Sequence, residues 1–444
     1  MIRCDLASCT DIDISAVRLG NRDVLAITVA KPHPHGMNLC YRPGNGESSP
    51  HNNSACAKAP HRPPNGEETH MPWTNEPPLK DPRYFPAAAA CNAPAPASGS
   101  GVYAIGGIDT SSSQTGEPAT TVEFYDTAQK TWSTTTSIPN PLRQNFGAAS
   151  TGGKLHIVGG YDDSYTPLAT HDVFDPATNT WSSLAPLSTA SGNLAAVTGS
   201  DGFIYAIGGS SQGPSSLATV EAYDPVHDEW VPKQQMQTGR MGLAAAATSN
   251  GFIYAIGGLA TNTVLLNSVE VFDIAANSWT PSPQSLPLPT AWHAAAVGPN
   301  GLIYVIGGMQ QQPNAPSTSP PPYVASVYSY NPASPTSAWA EQAPLPDVRA
   351  GMGAATGADG LVYAIGGMTC PQKVIVGEVN AYTFDKCDYI EYKLGLATQQ
   401  MAAAQATLDG GDLTPQQRAA GEKSLLGLRI EIETIEKALA TCRG

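Results

Sequence analysis

Positive charge is scarce in this chain: 23 Lys and Arg stand against 37 Asp and Glu in 444 residues, a formal net charge of −14. That balance excludes binding driven by a nucleic-acid backbone or an anionic membrane surface. No apolar run approaches the roughly 20 residues that a bilayer-spanning helix needs. The short run from Val24 to Ala30 follows Arg18 and Arg22, begins late and abuts Asp23, so it does not read as the core of a signal peptide. Eight cysteines are present, without the spacing of a small disulfide framework. His33, His35, Cys40, His51, Cys56 and His61 match no zinc-ligand spacing. A nucleophile elbow and a phosphate-cradling glycine loop are also missing. No cofactor and no metal are implied.

What is present is repetition. The run Gly251-Phe252-Ile253-Tyr254-Ala255-Ile256-Gly257-Gly258 returns in near copies ending at Gly107, Gly160, Gly209, Gly308 and Gly367, in steps of 53, 49, 49, 50 and 59 residues. After each Gly-Gly pair come a variable loop and an aromatic strand, such as Val122-Glu123-Phe124-Tyr125-Asp126 or Val269-Glu270-Val271-Phe272-Asp273. Trp132, Trp181, Trp230 and Trp279 follow seven residues after the aromatic, and Trp339 nine. A β-rich repeat of about 50 residues predicts a propeller array. The Gly-Gly, Tyr/Phe-Asp and Trp order, from about Trp73 to Asp388, resembles the Kelch repeat. The resemblance implies an all-β fold, a six-bladed Kelch β-propeller.

The ends are informative. Residues 1–70 are rich in Pro, Asn, Gly and Ser and read as a disordered leader. Residues 71–388 read as the propeller. Trp73 to Arg83 has the ten-residue offset of Trp230 to Arg240 and Trp339 to Arg349, so residues 71–79 look like the tail of a repeat without its head. The last repeat has the matching defect, with Tyr389 where the Trp belongs. The N-terminal strand is therefore expected to complete blade six and close the ring, which removes open sheet edges. In blade four the Asn250-Gly251 pair predicts a type I′ hairpin. Residues 389–444 change to a heptad-like period: Ile390, Leu394, Ala397, Met401, Ala404 and Leu408, then Leu425, Leu428, Ile432, Ile435 and Leu439. This predicts a C-terminal α-helical hairpin with coiled-coil-like packing, Thr414 capping and Pro415 opening its second arm. Cys387 and Cys442 both lie at the open end of that hairpin, where a disulfide is geometrically feasible.

In Kelch propellers, binding commonly uses the loops after Gly-Gly together with those joining consecutive blades. One position of the latter loops holds Arg83, Arg143, Ser191, Arg240, Thr290 and Arg349. Four guanidiniums around a channel mouth would trap a carboxylate or phosphate. The same arginines can instead brace the loops by pairing with Glu123, Glu221 or Glu270. Neighbouring candidates are Asn145, Asn193, Trp292 and His293, with Tyr161, Asp162, Tyr165 and Asp109 from the other loops. Phe146 and Met241 lie beside them. The longest loop, Met309 to Ser326, belongs to blade five. The leading expectation is a non-enzymatic binding module for a protein or carbohydrate partner bearing an anionic group. The alternative follows from the resemblance: Kelch proteins that interconvert sialic-acid anomers share the six-bladed architecture, so a sugar-acid mutarotase or epimerase is conceivable, with His293 and Asp162 as acid and base. Kelch copper oxidases need a seven-bladed ring and a Cys–Tyr pairing that are missing here, and no ubiquitin-ligase adaptor precedes the repeats.

Overall fold

The period-two alternation of each repeat becomes a four-stranded antiparallel sheet, and six such sheets form the blades. The structure is a computed structural model. It describes residues 12–19, 22–29, 72–92, 100–109, 117–211, 215–261, 264–312, 321–369, 375–384, part of 394–409, and 415–443. Blade four shows the unit: Ala244–Ala247, Phe252–Ile256, Val269–Asp273 and Ser278–Pro281, from the inside outward. Inner strands are short and small-chained, as with Ala244–Ala247 and Ala294–Val297, because they crowd the axis. The second strands are buried along nearly their whole length, Ile303–Ile306 at every residue, since both faces pack against neighbouring blades. The turn between the first two strands of blade four differs from expectation. Only Gly251 has positive φ (91°) and Asn250 does not, so this is not a type I′ turn, which needs both. The turn is longer: the Thr248 N–H bonds the Phe252 carbonyl at 2.8 Å.

The ring closes as the paired defects require. Strand β3 (Trp73–Glu76) pairs antiparallel with Val379–Tyr382, placing Trp73 opposite Tyr382. The same cross-strand aromatic–Trp pair recurs at Tyr125/Trp132, Phe174/Trp181, Tyr223/Trp230 and Phe272/Trp279. Trp73 Nε1 also donates to the Ala343 carbonyl of blade five at 2.9 Å, as Trp279 Nε1 donates to Gln234 of blade three at 2.8 Å. An indole from the start of the chain thus does the work of its counterparts: it buries a large ring and ties its blade to the one before.

The chain divides into two compact units, Met1–Asn53 and Ser54–Gly444. Within the first unit, β1 (Ile12–Leu19) and β2 (Arg22–Val29) pair antiparallel as a hairpin, and the rest of the expected leader up to residue 70 lies outside the described residues. Two eight-residue runs with β-branched residues flank Gly20-Asn21, a dipeptide suited to a two-residue turn. At the other end, helix α1 runs from Pro415 to Arg443 and begins at the proline, as predicted. The described residues of 394–409 are helical too, and a Cβ on Gly421 would lie 2.6 Å from the Leu408 side chain. Cys387 and the Cys442 side chain, and with them the expected disulfide, lie outside the described residues. Part of the Met309–Ser326 loop lies outside them as well. Cys91 is a free, buried thiol. No described helix is long and apolar enough to cross a membrane.

Candidate functional site

The four arginines are buried, with relative exposures of 0–1 %. Each guanidinium is engaged inside its own blade. Arg240 donates to Glu270 Oε1 at 2.6 Å and to the Gly257 and Ser268 carbonyls at 3.0 Å. Arg83 pairs with Glu123, Arg143 with Asp172, and Arg349 with the Asn380 side chain. Glu123 and Glu270 also accept backbone N–H groups from the loop that precedes their arginine. Burial pushes all four guanidinium pKa values down, opposed in Arg83, Arg143 and Arg240 by the paired carboxylate. Arg349, facing an amide, is brought lowest, to about 10, and remains charged at neutral pH. These residues fix the inter-blade loops. They do not form an anion trap at the channel mouth.

Two residues beyond each arginine position lies the mouth itself. Phe85, Asn145, Asn193, Gly242, Trp292 and Gly351 all have left-handed φ, between 53° and 64°. Their peptides form a belt: Phe85 N donates to Gly351 O, Gly351 N to Trp292 O, Trp292 N to Gly242 O, Gly242 N to Asn193 O, and Asn193 N to Asn145 O, at 2.6–2.9 Å. Among the described residues the sixth step, from Asn145 to Phe85, makes no such bond. Glycine suits this conformation in two blades. A left-handed Phe or Trp is a strained choice, of order 1–3 kcal/mol, and such strain gathers at functional sites. The two glycines leave room for the two rings: a Cβ on Gly242 would sit 2.8 Å from the Trp292 indole, and one on Gly351 2.8 Å from the Phe85 ring. Phe85 and Trp292 meet edge to face at 4.9 Å across Gly351. On the opposite side, Asn145 Nδ2 donates to Asn193 Oδ1 at 2.6 Å. Tyr161 packs on Gly192 beside them, and its hydroxyl donates to the Ser210 carbonyl at 3.3 Å.

These six residues line a cavity of about 120 Å³, together with the next residue of each blade: Pro86, Phe146, Leu194, Leu243, His293 and Met352. The second tier is apolar except for His293. That imidazole is 5 % exposed and packs on Gly257, and neither nitrogen makes a well-formed hydrogen bond, the Ile256 backbone offering only a weak one. Burial pushes its pKa down to about 4, partly offset by the backbone of Ile256, so the ring is neutral at physiological pH. No residue lining the cavity is charged. Asn145, Asn193, Trp292 and His293 are therefore brought together at this cavity, with Tyr161 beside Asn193, while the arginines are set apart. Asp162 accepts the Ser164 and Thr166 amides in its own turn, at 2.9 and 2.7 Å, and no hydrogen bond among the described residues joins it to His293. Phe85 was not singled out in the sequence, although the same two-residue step from Arg83 marks it. No described group of His, Cys, Asp and Glu is placed to hold a metal.

The family model described as Attractin/LZTR1 beta-propeller matches residues 102–374. No curated protein matches. Among solved structures, one described as "Structure of YjhT" is similar with a TM-score of 0.55 and 16 % identity, covering 70 % of this chain and 97 % of that one. At that identity the likeness is one of fold.

Proposed function

Since the chain belongs to the Attractin/LZTR1 β-propeller family, a Kelch-type fold, we propose that it is a non-enzymatic interaction module whose mouth face receives a protein partner. The observation that carries this reading is the uncharged cavity between the Phe85–Trp292 aromatic pair and the Asn145–Asn193 amide pair, built on left-handed backbone. About 120 Å³ suits one side chain from a partner's loop better than a whole ligand of drug size, which needs roughly 300 Å³ or more. Aromatic walls supply buried area with little ordering entropy, and amides fix the orientation of a polar edge. The arginines that suggested an anionic group are engaged internally, so the inserted group is uncharged. The mutarotase alternative loses the same anion-binding set.

The test is a displayed-peptide selection against the full chain, with Trp292→Ala and Asn193→Ala as counter-screens and Ser200→Ala as a control away from the mouth. Neutral sugars and sugar acids are screened in parallel by thermal shift. Peptides that bind wild type and Ser200→Ala and lose at least tenfold in the mouth variants support the proposal. Binders indifferent to Trp292 and Asn193 overturn it, and so does a sugar acid whose stabilisation depends on Trp292, which would return the site to carbohydrate chemistry.

A further inference from the structure

Blade two departs from the other five at two linked positions. Where they carry Tyr103, Tyr205, Tyr254, Tyr304 and Tyr363, it has His156. Where they carry Val122, Val220, Val269, Val327 and Val379, it has His171. The two imidazoles lie side by side, His156 Nδ1 to His171 Nε2 at 2.9 Å, and are 4 % and 1 % exposed. His171 Nδ1 lies 3.3 Å from the Ala185 carbonyl, which can only accept. So His171 carries its proton on Nδ1, its Nε2 accepts, and His156 donates from Nδ1. One added proton leaves this bond intact but buries an imidazolium, and a second breaks it, because both facing nitrogens then carry protons.

The pair faces blade three. The His171 ring meets Tyr223 at 4.4 Å and Trp230 at 5.2 Å, and His156 lies 5.8 Å from Tyr223. This seam is also the least apolar. The other five seams each bury a continuous cluster of nine to twelve residues, whereas the seam between blades two and three holds two separate clusters of four and three. The charged groups around the pair are already engaged. Arg143 binds Asp172, Lys154 binds Asp175 at 3.0 Å, and Asp228 takes the Tyr223 hydroxyl and the Ala185 amide at 2.9 and 3.0 Å. Among the described residues no carboxylate hydrogen-bonds either imidazole, and Asp228 acts on His171 only through its charge. Across the same seam run the Asn145–Asn193 amide bond and the Asn193 N to Asn145 O step of the belt.

We infer that the seam between blades two and three is an acid-sensitive latch: protonating the His156–His171 pair loosens it and disorders the amide half of the mouth. Burial, together with the neighbouring His171 and Lys154, lowers the His156 pKa to about 3. Burial and Arg143 bring His171 to about 4, against the opposing pull of the Ala185 carbonyl and Asp228. The folded rings thus hold fewer protons than free imidazoles below about pH 6.5, and the seam weakens as pH falls through that range. The latch stands on this geometry alone. Release of a partner at acid pH is its consequence if the mouth binds as proposed.

The experiment compares wild type with His156→Tyr/His171→Val, which installs the residues of the other blades, by hydrogen exchange corrected for intrinsic rates between pH 7 and 5. In wild type, exchange in segments 143–149 and 191–198 is expected to rise at least tenfold more than in 294–297, and in the double variant it does not. Equal rises in both proteins, or a uniform rise over all six seams, would sink the latch. Should the variant not fold, imidazole titration of wild type by NMR still decides: two resonances that titrate near 6.5 overturn the inference, and two that stay neutral to below pH 5 support it. With a mouth peptide in hand, its loss at pH 5 from wild type alone extends the latch to binding. If no peptide emerges the proposed function fails, and the exchange result still judges the latch.

Discussion

Glu270 receives Arg240 at 2.6 Å, and one blade earlier Glu221 sits in the same place with no arginine to receive, because Ser191 holds that position. Glu221 accepts the Ser188 and Thr189 amides at 2.9 and 3.1 Å, as Glu270 accepts those of Gln237 and Thr238. The Ser191 hydroxyl donates to the carbonyl of Gly208, at 3.0 Å. In blade five both halves are replaced together, by Thr290 and Tyr328, so blade three alone keeps the acid without the base.

Two opposite substitutions follow. Arg240→Ala strands a buried carboxylate and is expected to lower stability by about 3–5 kcal/mol. Ser191→Arg restores the pair and is expected to raise the melting temperature. Denaturant unfolding of the two variants reads both, and a destabilising Ser191→Arg would show that the blade-three loop no longer has the shape of its neighbours.

Closure by β3 predicts a sharp boundary for truncation. A chain beginning at residue 69 keeps Trp73 and should melt like the full protein. One beginning at residue 81 lacks β3, exposes the edge of Val379–Tyr382 and should melt many degrees lower, with a tendency to associate through that edge. Calorimetry and light scattering of the two chains test this, and equal melting would remove the closure argument.

His293 interrupts an apolar tier without a well-formed hydrogen bond. His293→Leu, the residue found at Leu194 and Leu243, is expected to raise stability by about 1 kcal/mol at pH 7, since an unsatisfied polar group is removed. The gain should grow with acidity: the folded pKa of about 4 lies below the unfolded value, so wild type loses stability as pH falls below about 6.5 and the leucine variant is spared that part of the loss. Parallel pH–stability curves for the two proteins would contradict this assignment.

Gly242→Ala and Gly351→Ala test how the aromatic wall is held. Each adds a Cβ 2.8 Å from a ring and forces a left-handed alanine, with φ of 57° and 64° in the parent. Expected are a displaced Trp292 or Phe85, a changed near-ultraviolet circular dichroism signal and weakened partner binding. An unchanged spectrum would mean that the rings move aside freely.

The blades were legible in the sequence because each unit announces itself with Gly-Gly, Tyr/Phe-Asp and Trp, and the closing strand because Trp73 lacked a head where Tyr382 lacked a tail. Most of the mouth was legible as well: Asn145, Asn193 and Trp292 follow from counting two residues past the arginine position. Phe85 escaped because it lies between β3, which completes blade six, and the first strand of blade one, ahead of the first Gly-Gly unit. The fate of the arginines was not readable, since each partner lies 29 to 40 residues away and only folding shows which side chain reaches which. The β1–β2 hairpin was hidden by averaging composition over 70 residues, of which the strands take 16.

The joining of Thr74 to Ala381, 307 residues later in the chain, has a consequence for biosynthesis. At roughly 5–20 residues per second, the ribosome takes about 15–60 s to deliver that partner. Throughout that interval five blades can stack in order as they emerge, while the segment around Trp73 has nowhere to dock. The first propeller strand to be made is the last to be placed, and the nascent arc stays open until Tyr382 clears the exit tunnel.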